Sequence, residues 1–256
     1  ALERDVPRDQ RPRYLRAGCR VVDVRLHGDR VWLTYFDRQG EVRFLLARYV
    51  VMANSKHVAK YMIHDLERLD WDKFNAMHQL HTGAYVVANV LLDRRVQRDF
   101  YDAFLIEDET FPMTPGDFEL NSRVVDMVSG HYAARPRSRG VLTLYWPLPW
   151  PSARFTLLIN QPWQTYAQRL APQLHHMLGI VDVPLSAVRQ VRMTRWGHAM
   201  PLSQIGMIAN GVCDHLRRPF QDRVFFVNQD NWLLPAVENS LLDARTVAEE
   251  IANRLG

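Results

Sequence analysis

The sequence predicts a mixed α/β chain, and three observations carry that reading. Apolar residues alternate with period two over residues 22–46. A continuous apolar run, Tyr49-Val50-Val51-Met52-Ala53, follows directly. Two later segments, 163–178 and 237–255, repeat apolar residues at helical spacing. The 256 residues are 47% hydrophobic and 23% charged, which excludes a disordered or collagen-like chain. That length builds one large domain or two small ones with a sizeable core.

Each element has its own justification. Residues 1–18 are polar, rich in Arg and Pro, and read as a loop or arm. Val22, Val24 and Leu26 alternate as in a half-buried strand, and His27-Gly28-Asp29-Arg30 turns the chain. Val31, Leu33 and Tyr35 repeat the pattern, Asp37-Arg38-Gln39-Gly40 turns again, and Val42, Phe44 and Leu46 complete a three-stranded antiparallel meander. The unbroken run at 49–53 fits a strand buried on both faces of a parallel sheet. Val58, Tyr61, Met62, Leu66 and Leu69 then mark a helical face, which Trp71, Phe74 and Met77 continue after a break at Asp70. Residues 84–92, 141–146, 153–159 and 187–196 read as strands, and 95–140 as loops. Asn160-Gln161-Pro162 opens a helix carrying Trp163, Tyr166, Leu170, Leu174 and Met177 on one side. Pro172 inside it predicts a kink or two shorter helices. RVFFVN (223–228) is a short buried strand. From Pro235 the face Val237, Leu241, Ala244, Val247, Ala248, Ile251 and Leu255 marks the last helix.

Composition removes several function classes. Lys+Arg is 32 against Asp+Glu 28, a mild excess of +4, and the only lysines are Lys56, Lys60 and Lys73. The arginines form no stripe with interleaved aromatics, so a nucleic-acid partner is not expected. Cys19 and Cys213 are the only cysteines. No zinc spacing exists, and a single Cys19–Cys213 bridge stays open. No apolar run reaches the roughly 18 residues that cross a bilayer, so no transmembrane segment is expected. The chain opens on Ala1 without a signal peptide, which fits a removed leader or a piece of a longer protein. Periplasm and cytoplasm both stay open, as does a homo-oligomer.

Three segments carry chemical information in order: the meander with YVVMAN, then Arg195-Trp196-Gly197-His198-Ala199-Met200-Pro201, then Val224 to Ile251. In the third, a buried strand ends at Asn228-Gln229-Asp230 and a long helix opens after a short loop. A helix N-terminus offers unpaired N–H groups and a partial positive charge. Asp230 there can accept from hydroxyls, and the Val237 amide can donate to an electronegative atom. The competing reading is that Asn228 and Asp230 form a turn and cap the helix.

This third segment resembles the C-terminal flavin-binding motif of the flavin-containing amine oxidase family. Asn228-Gln229-Asp230 is similar to the Asn-Ser-Asp variant of bacterial spermidine dehydrogenase-like proteins, and RWGHAMP to their Arg-Tyr-Gly-His-Ala-Met segment. The meander and return strand resemble the family's cofactor domain, and AYVVANVLL a substrate-domain strand with its Asn89-Val90 pair. The resemblance runs from about Arg20 to the C-terminus, with 95–140 unsupported. It implies FAD as cofactor, and a partial, Rossmann-like FAD-binding domain with a β-meander from residues 1–54 and 200–256. A substrate domain of mixed sheet and helices spans 55–199. Val21 or Val22 meets the adenine through its backbone, and Asn228, Asp230, Trp232 and Val237 lie at the flavin. The implied chemistry is hydride transfer from an amine, polyamine-like, giving an imine. Trp196 and His198 form a substrate wall suited to cation–π contact with an amine.

Two departures qualify this. The last helix has no Gly before Gly256. No GxGxxG with a Glu about 20 residues on precedes the meander; that βαβ unit is expected from a missing N-terminal segment or a partner chain. Tyr145, Trp146, Trp150 and Trp163 are either substrate contacts or core aromatics. Trp232 is a flavin contact or an exposed loop residue. Adjacent His175 and His176 face different directions and suit a helix end rather than a metal. Glu107-Asp108-Glu109 reads as a solvated charge run, and no GxSxG marks a hydrolase. No catalytic base and no metal site are identified. Two alternatives stand beside the amine oxidoreductase: a non-catalytic scaffold that kept this fold, and a flavin-dependent desaturase or amino-acid oxidase. In the last, Arg192 or Arg195 would hold a carboxylate.

Overall fold

The computed structural model describes residues 15–105, 123–130, 138–148 and 161–256. It divides into two compact units, Ala1–His81 with Pro201–Gly256, and Thr82–Met200.

The first unit opens with the antiparallel meander of β1 (Arg20–His27), β2 (Arg30–Phe36) and β3 (Val42–Ala47). Val24 pairs with Leu33 and Leu26 with Val31, and a bulge breaks the register between Val21 and Asp23. Gly28 takes φ +59° at the first turn, a conformation that costs other residues more. The continuous apolar run becomes β4 (Val50–Met52), paired in parallel as expected with a strand far along the chain, Val224–Phe226; burial on both faces is not found, since Val51 is 44% exposed while Val50 and Met52 are buried.

Three short helices follow β4: α1 (Lys56–Met62), α2 (Leu66–Leu69) and α3 (Trp71–Gln79). The break at Asp70 has a physical cause. Asp70 ends α2 and caps α3, its Oδ1 accepting from the Lys73 N–H at 3.1 Å. Residues 55–81, grouped with the intervening domain on sequence, pack in the first unit: the His64 N–H donates to the Val24 carbonyl at 2.8 Å. The expected apolar face of α1 is overturned. Val58 is 45% and Tyr61 72% exposed, and the buried positions are Lys56, Ala59, Lys60 and Ile63, an i, i+3, i+4, i+7 set that includes two lysines.

The second unit is a five-stranded sheet in the order β6-β7-β8-β5-β9. Its strands are β5 (His81–Leu92), β6 (Asp102–Phe104), β7 (Asp126–Ser129), β8 (Gly140–Pro147) and β9 (Val188–Leu202). β6 and β7 lie where only loops were expected. One sheet face buries Ala84, Val86, Ala88 and Val90 with Leu142, Leu144 and Trp146, packed with Tyr166, Leu170, Leu174 and Met177 of α4 (Trp163–Ile180). Each buried Val, Leu or Met of this face contributes about 1.5–3 kcal/mol by leaving water. α4 runs on as a single helix through Pro172, so two shorter helices are not formed; the tertiary burial of its apolar stripe outweighs the local cost.

The chain returns to the first unit with α5 (Val212–Arg217), β10 (Val224–Phe226), a 3₁₀ turn (Gln229–Trp232) and α6 (Val237–Leu255). α6 forms as predicted, but its expected apolar face is turned out. Val237 is 67% and Leu241 65% exposed, and the helix's one buried residue is Asp243. Cys19 and Cys213 are free thiols. The strand predicted at 153–159, Trp150 and Glu107-Asp108-Glu109 lie outside the described residues. Among the described residues no helix is long and apolar enough to cross a membrane, and no cluster suits a metal.

Candidate functional site

Parallel strands expose their ligand-binding edge at the carboxyl ends. In the first unit that edge is where β4 and β10 finish side by side: the Val227 N–H donates to the Met52 carbonyl at 3.0 Å. Asn228 then forms the turn of the competing reading but does not cap the long helix, whose N-cap is Ala236. Asn228 Oδ1 accepts from the Asp230 N–H at 2.9 Å, starting the 3₁₀ turn. Asp230 is 2% exposed, and its Oδ2 accepts from the Lys56 N–H at 2.8 Å, tying β10 to the first turn of α1. One oxygen of the carboxylate is thus committed within the protein, a partnership 174 residues apart that no motif announces.

The turn is held from α6. Asp243 accepts through Oδ2 from Asn231 Nδ2 at 2.7 Å and through Oδ1 from Trp232 Nε1 at 2.9 Å. The Arg217 guanidinium lies 4.5 Å from the Trp232 ring, so Trp232 is anchored rather than a loose loop residue. Leu233 follows at φ +55°, a left-handed conformation costly for a branched side chain; the Ser203 hydroxyl donates to its carbonyl. α6 then begins at Val237 with Ala236 as N-cap and no side-chain cap, leaving first-turn amides for an external acceptor.

Two lysines stand behind this edge. Lys56 Nζ is fully buried, has no hydrogen-bond partner among the described residues, and lies 5.3 Å from the Phe226 ring centroid. Burial pushes its ammonium down to about 8, against the pull of Asp230 and Asp243. Lys73 Nζ lies 4.1 Å from the same ring centroid and donates to the carbonyls of His215 and Leu216 at 2.6 and 3.1 Å. Burial, and then the Lys56 charge, push it down to about 6. Val21 and Val22 sit at the β1 bulge, 37% and 39% exposed.

The second unit carries the other predicted residues on two strands. Trp196 and His198, two apart on β9, share a side. Trp196 is 51% exposed, and His198 Nδ1 lies 2.7 Å from Thr82 Oγ1. Tyr145 and Trp146, expected together, are separated by strand alternation. Trp146 is 2% exposed in the core, its ring 6.0 Å from Tyr166, so it cannot serve as a substrate wall. Tyr145 is on the opposite face, 5.8 Å from the Tyr85 ring, near a Thr143–Asn89 hydrogen bond of 2.9 Å. Asp126 stands opposite Tyr145 in register. Burial and a hydrogen bond to Asp102 raise the Asp126 carboxyl to about 7. Trp163 is 50% exposed at the start of α4. His175 and His176 are exposed on α4, and Arg192 Nε donates to Gln190 at 3.1 Å.

The residues that sequence reasoning missed are Lys56, Asn231, Asp243, Thr82, Asp102 and Asp126. Only the i, i+4 spacing of Lys56 and Lys60 on a buried helical face could have flagged any of them. Compared with known proteins, residues 1–252 match a family model described as flavin containing amine oxidoreductase. No curated protein matches. The solved structure of cyclohexylamine oxidase from Brevibacterium oxydans IH-35A is similar in fold. Its TM-score is 0.59 at 16% identity, over 92% of this chain and 48% of that one. The chain therefore spans about half the length of that enzyme.

Proposed function

The chain belongs to the flavin-containing amine oxidoreductase family, and on that premise we propose that it holds one side of a FAD site and takes part in oxidising an amine. The observation that carries this reading is the family match over residues 1–252. Local geometry supports it. The carboxyl ends of β4 and β10 meet an uncapped first turn of a 19-residue helix, which suits an electronegative ring atom. The residues fit the group in part. Val237 is exposed and α6 has no side-chain cap, and Val21 and Val22 are part-exposed residues at a bulge. Asp230 is a weaker ligand, because Lys56 already engages Oδ2.

Bound flavin supplies the hydride acceptor, and the amine substrate leaves as an imine that water hydrolyses. The chain's own residues do the rest. Val21 and Val22 would meet the adenine, while Asn228, Asp230, Trp232 and the Val237 amide would orient the ring end. Trp196, His198 and Tyr145 would hold the amine, with cation–π attraction at the aromatic faces. An apolar site lowers the amine's own pKa by desolvation, so the substrate enters its reactive neutral form without a protein base. A polyamine-like substrate is the finer form of this proposal. The pyrophosphate and adenosine ribose would be held by a GxGxxG unit from another segment or a partner chain.

The test is a visible spectrum of the purified chain, then titration with FAD, then anaerobic addition of mono-, di- and polyamines. Flavin bands that bleach with amines support the reading, and faster bleaching with polyamines supports its finer form. Bleaching only with amino acids would shift the assignment to an amino-acid oxidase. No flavin uptake at any FAD concentration, by the chain alone or together with a segment carrying the GxGxxG unit, refutes the reading and leaves the scaffold alternative, which the engagement of Asp230 Oδ2 by Lys56 favours.

A further inference from the structure

The only buried residue of α6 is a carboxylate, Asp243, at 7% exposure. Burying a carboxylate costs several kcal/mol unless both oxygens are satisfied. Here both are, and by neighbours in one turn: Oδ2 takes the Asn231 amide at 2.7 Å and Oδ1 the Trp232 indole at 2.9 Å. Asn231 Nδ2 also donates to the Phe226 carbonyl at 2.9 Å, the last residue of β10. The carboxylate is therefore a clamp joining the strand end, the turn and the helix. That clamp holds a turn that would otherwise relax, because Leu233 sits at φ +55°. Lys56, whose N–H donates to Asp230, carries a buried ammonium that both Asp230 and Asp243 attract.

An amide at this position cannot replace the acid. Both Asp243 oxygens accept, whereas asparagine offers one acceptor and turns its NH2 toward a donor. We infer that Asp243 is a positioning residue: through Trp232 and Asn231 it fixes the 229–232 turn, so that the first amides of α6 are presented to the flavin. The inference rests on the flavin reading of this edge for its ligand, and on the hydrogen bonds alone for the turn.

The test compares the full chain with Asp243→Asn, Trp232→Phe and the double variant. In ¹⁵N-labelled protein the indole N–H resonance lost in Trp232→Phe identifies Trp232. Asp243→Asn is expected to shift that resonance and to speed its hydrogen exchange by roughly tenfold or more. FAD affinity, read by flavin fluorescence, is expected to weaken roughly tenfold in each single variant, and the double variant to be no worse than the poorer single. A merely structural role would lower the melting temperature and leave the affinity of folded protein unchanged. Unchanged FAD affinity in Asp243→Asn, or additive losses in the double variant, overturn the inference. If Asp243→Asn does not fold, Trp232→Phe decides, and wild-type affinity there overturns it. If wild-type protein, alone or supplied with a segment carrying the GxGxxG unit, takes up no FAD, the flavin reading fails, while an unmoved indole resonance would separately show that Asp243 does not order the turn.

Discussion

Lys73 gives the sharpest test of the buried charges. Its Nζ donates to the carbonyls of His215 and Leu216 near the end of α5 and lies 4.1 Å from the Phe226 ring centroid. Burial, Lys56 and Arg218 oppose the ammonium, Asp70 with the carbonyls and the ring favours it, and the balance brings the group down to about 6. A neutral amine still has two N–H donors, one for each carbonyl. The sign follows from proton counting. Between about pH 6 and 10.5 the unfolded chain keeps this proton and the folded chain has released it, so stability rises with pH across that window. One pKa unit corresponds to about 1.4 kcal/mol. From pH 6 to pH 8 this one group should therefore add about 2 kcal/mol to folding. Lys73→Met keeps the volume and removes the titration. Urea melts of wild type and Lys73→Met at pH 5, 6, 7, 8 and 9 give the difference directly. It should be nearly flat below pH 6 and widen in favour of wild type above it. Parallel curves from pH 5 to 9 would refute the reasoning, because they would mean that the carbonyls and ring keep the ammonium charged.

Other outcomes are equally direct. Pro172 is exposed inside α4; Pro172→Ala restores a backbone donor and should stabilise the chain by about 1–3 kcal/mol in thermal melts. Gly140→Ala should destabilise by about 1–3 kcal/mol, since a Cβ there would meet the Arg94 carbonyl oxygen at 2.9 Å. Asp126 has its carboxyl raised to about 7 by burial and Asp102, so the folded state holds a proton that the unfolded chain loses near pH 4. Stability from this group is present at acid pH and is lost as pH rises toward 7 and beyond. Relative to wild type, Asp126→Asn should therefore gain in melts at pH 8 over pH 4.5. An unchanged difference would show that Asp102 and Asp126 do not share a proton.

The meander strands were legible in position because their period is two and their turns are marked, although β3 leaves Val42, Phe44 and Leu46 exposed, and the short β6 and β7 were not legible. Val24–Leu33 and Leu26–Val31 pair as the alternation requires, and the unbroken Val50–Met52 run found a parallel partner. The helices were legible in position but not in facing. Reading only apolar residues put Val58 and Tyr61, and then Val237 and Leu241, against the core; the protein instead buries Lys56 and Lys60 on α1 and Asp243 on α6. Such a face is decided by partners distant in sequence, and the Lys56–Asp230 contact spans 174 residues. Neighbouring aromatics on a strand were misjudged for a simpler reason. Tyr145 and Trp146 must point to opposite faces, so only one of them could line an open surface. The strand-end motif itself was visible, because Asn228-Gln229-Asp230 combines a buried run with turn-forming and acidic residues. What it does for the fold was not visible: Asn228 caps the turn and Asp230 caps α1.

The placement of the lysines links these points. The chain holds 32 basic residues and only three are lysine, yet all three are buried. The division follows from chemistry. A guanidinium keeps its charge in any protein environment, so an arginine at position 56 or 73 would bring an obligatory buried cation with five donors. Among the described residues, Lys73 Nζ has two carbonyls as hydrogen-bond acceptors and one ring face, with Asp70 as the carboxylate that attracts it. A lysine can give up its proton, and its compact head fits against Phe226 between the ends of β10 and α5. The same residue type at 56 stays closer to its charged state because Asp230 and Asp243 attract it. One lysine is thereby a counter-ion for the carboxylates that order the 229–232 turn, and the other a largely neutral donor closing α5. Both are supported by the same Phe226 ring, so the strand that ends at the candidate flavin edge also carries the charge balance behind it.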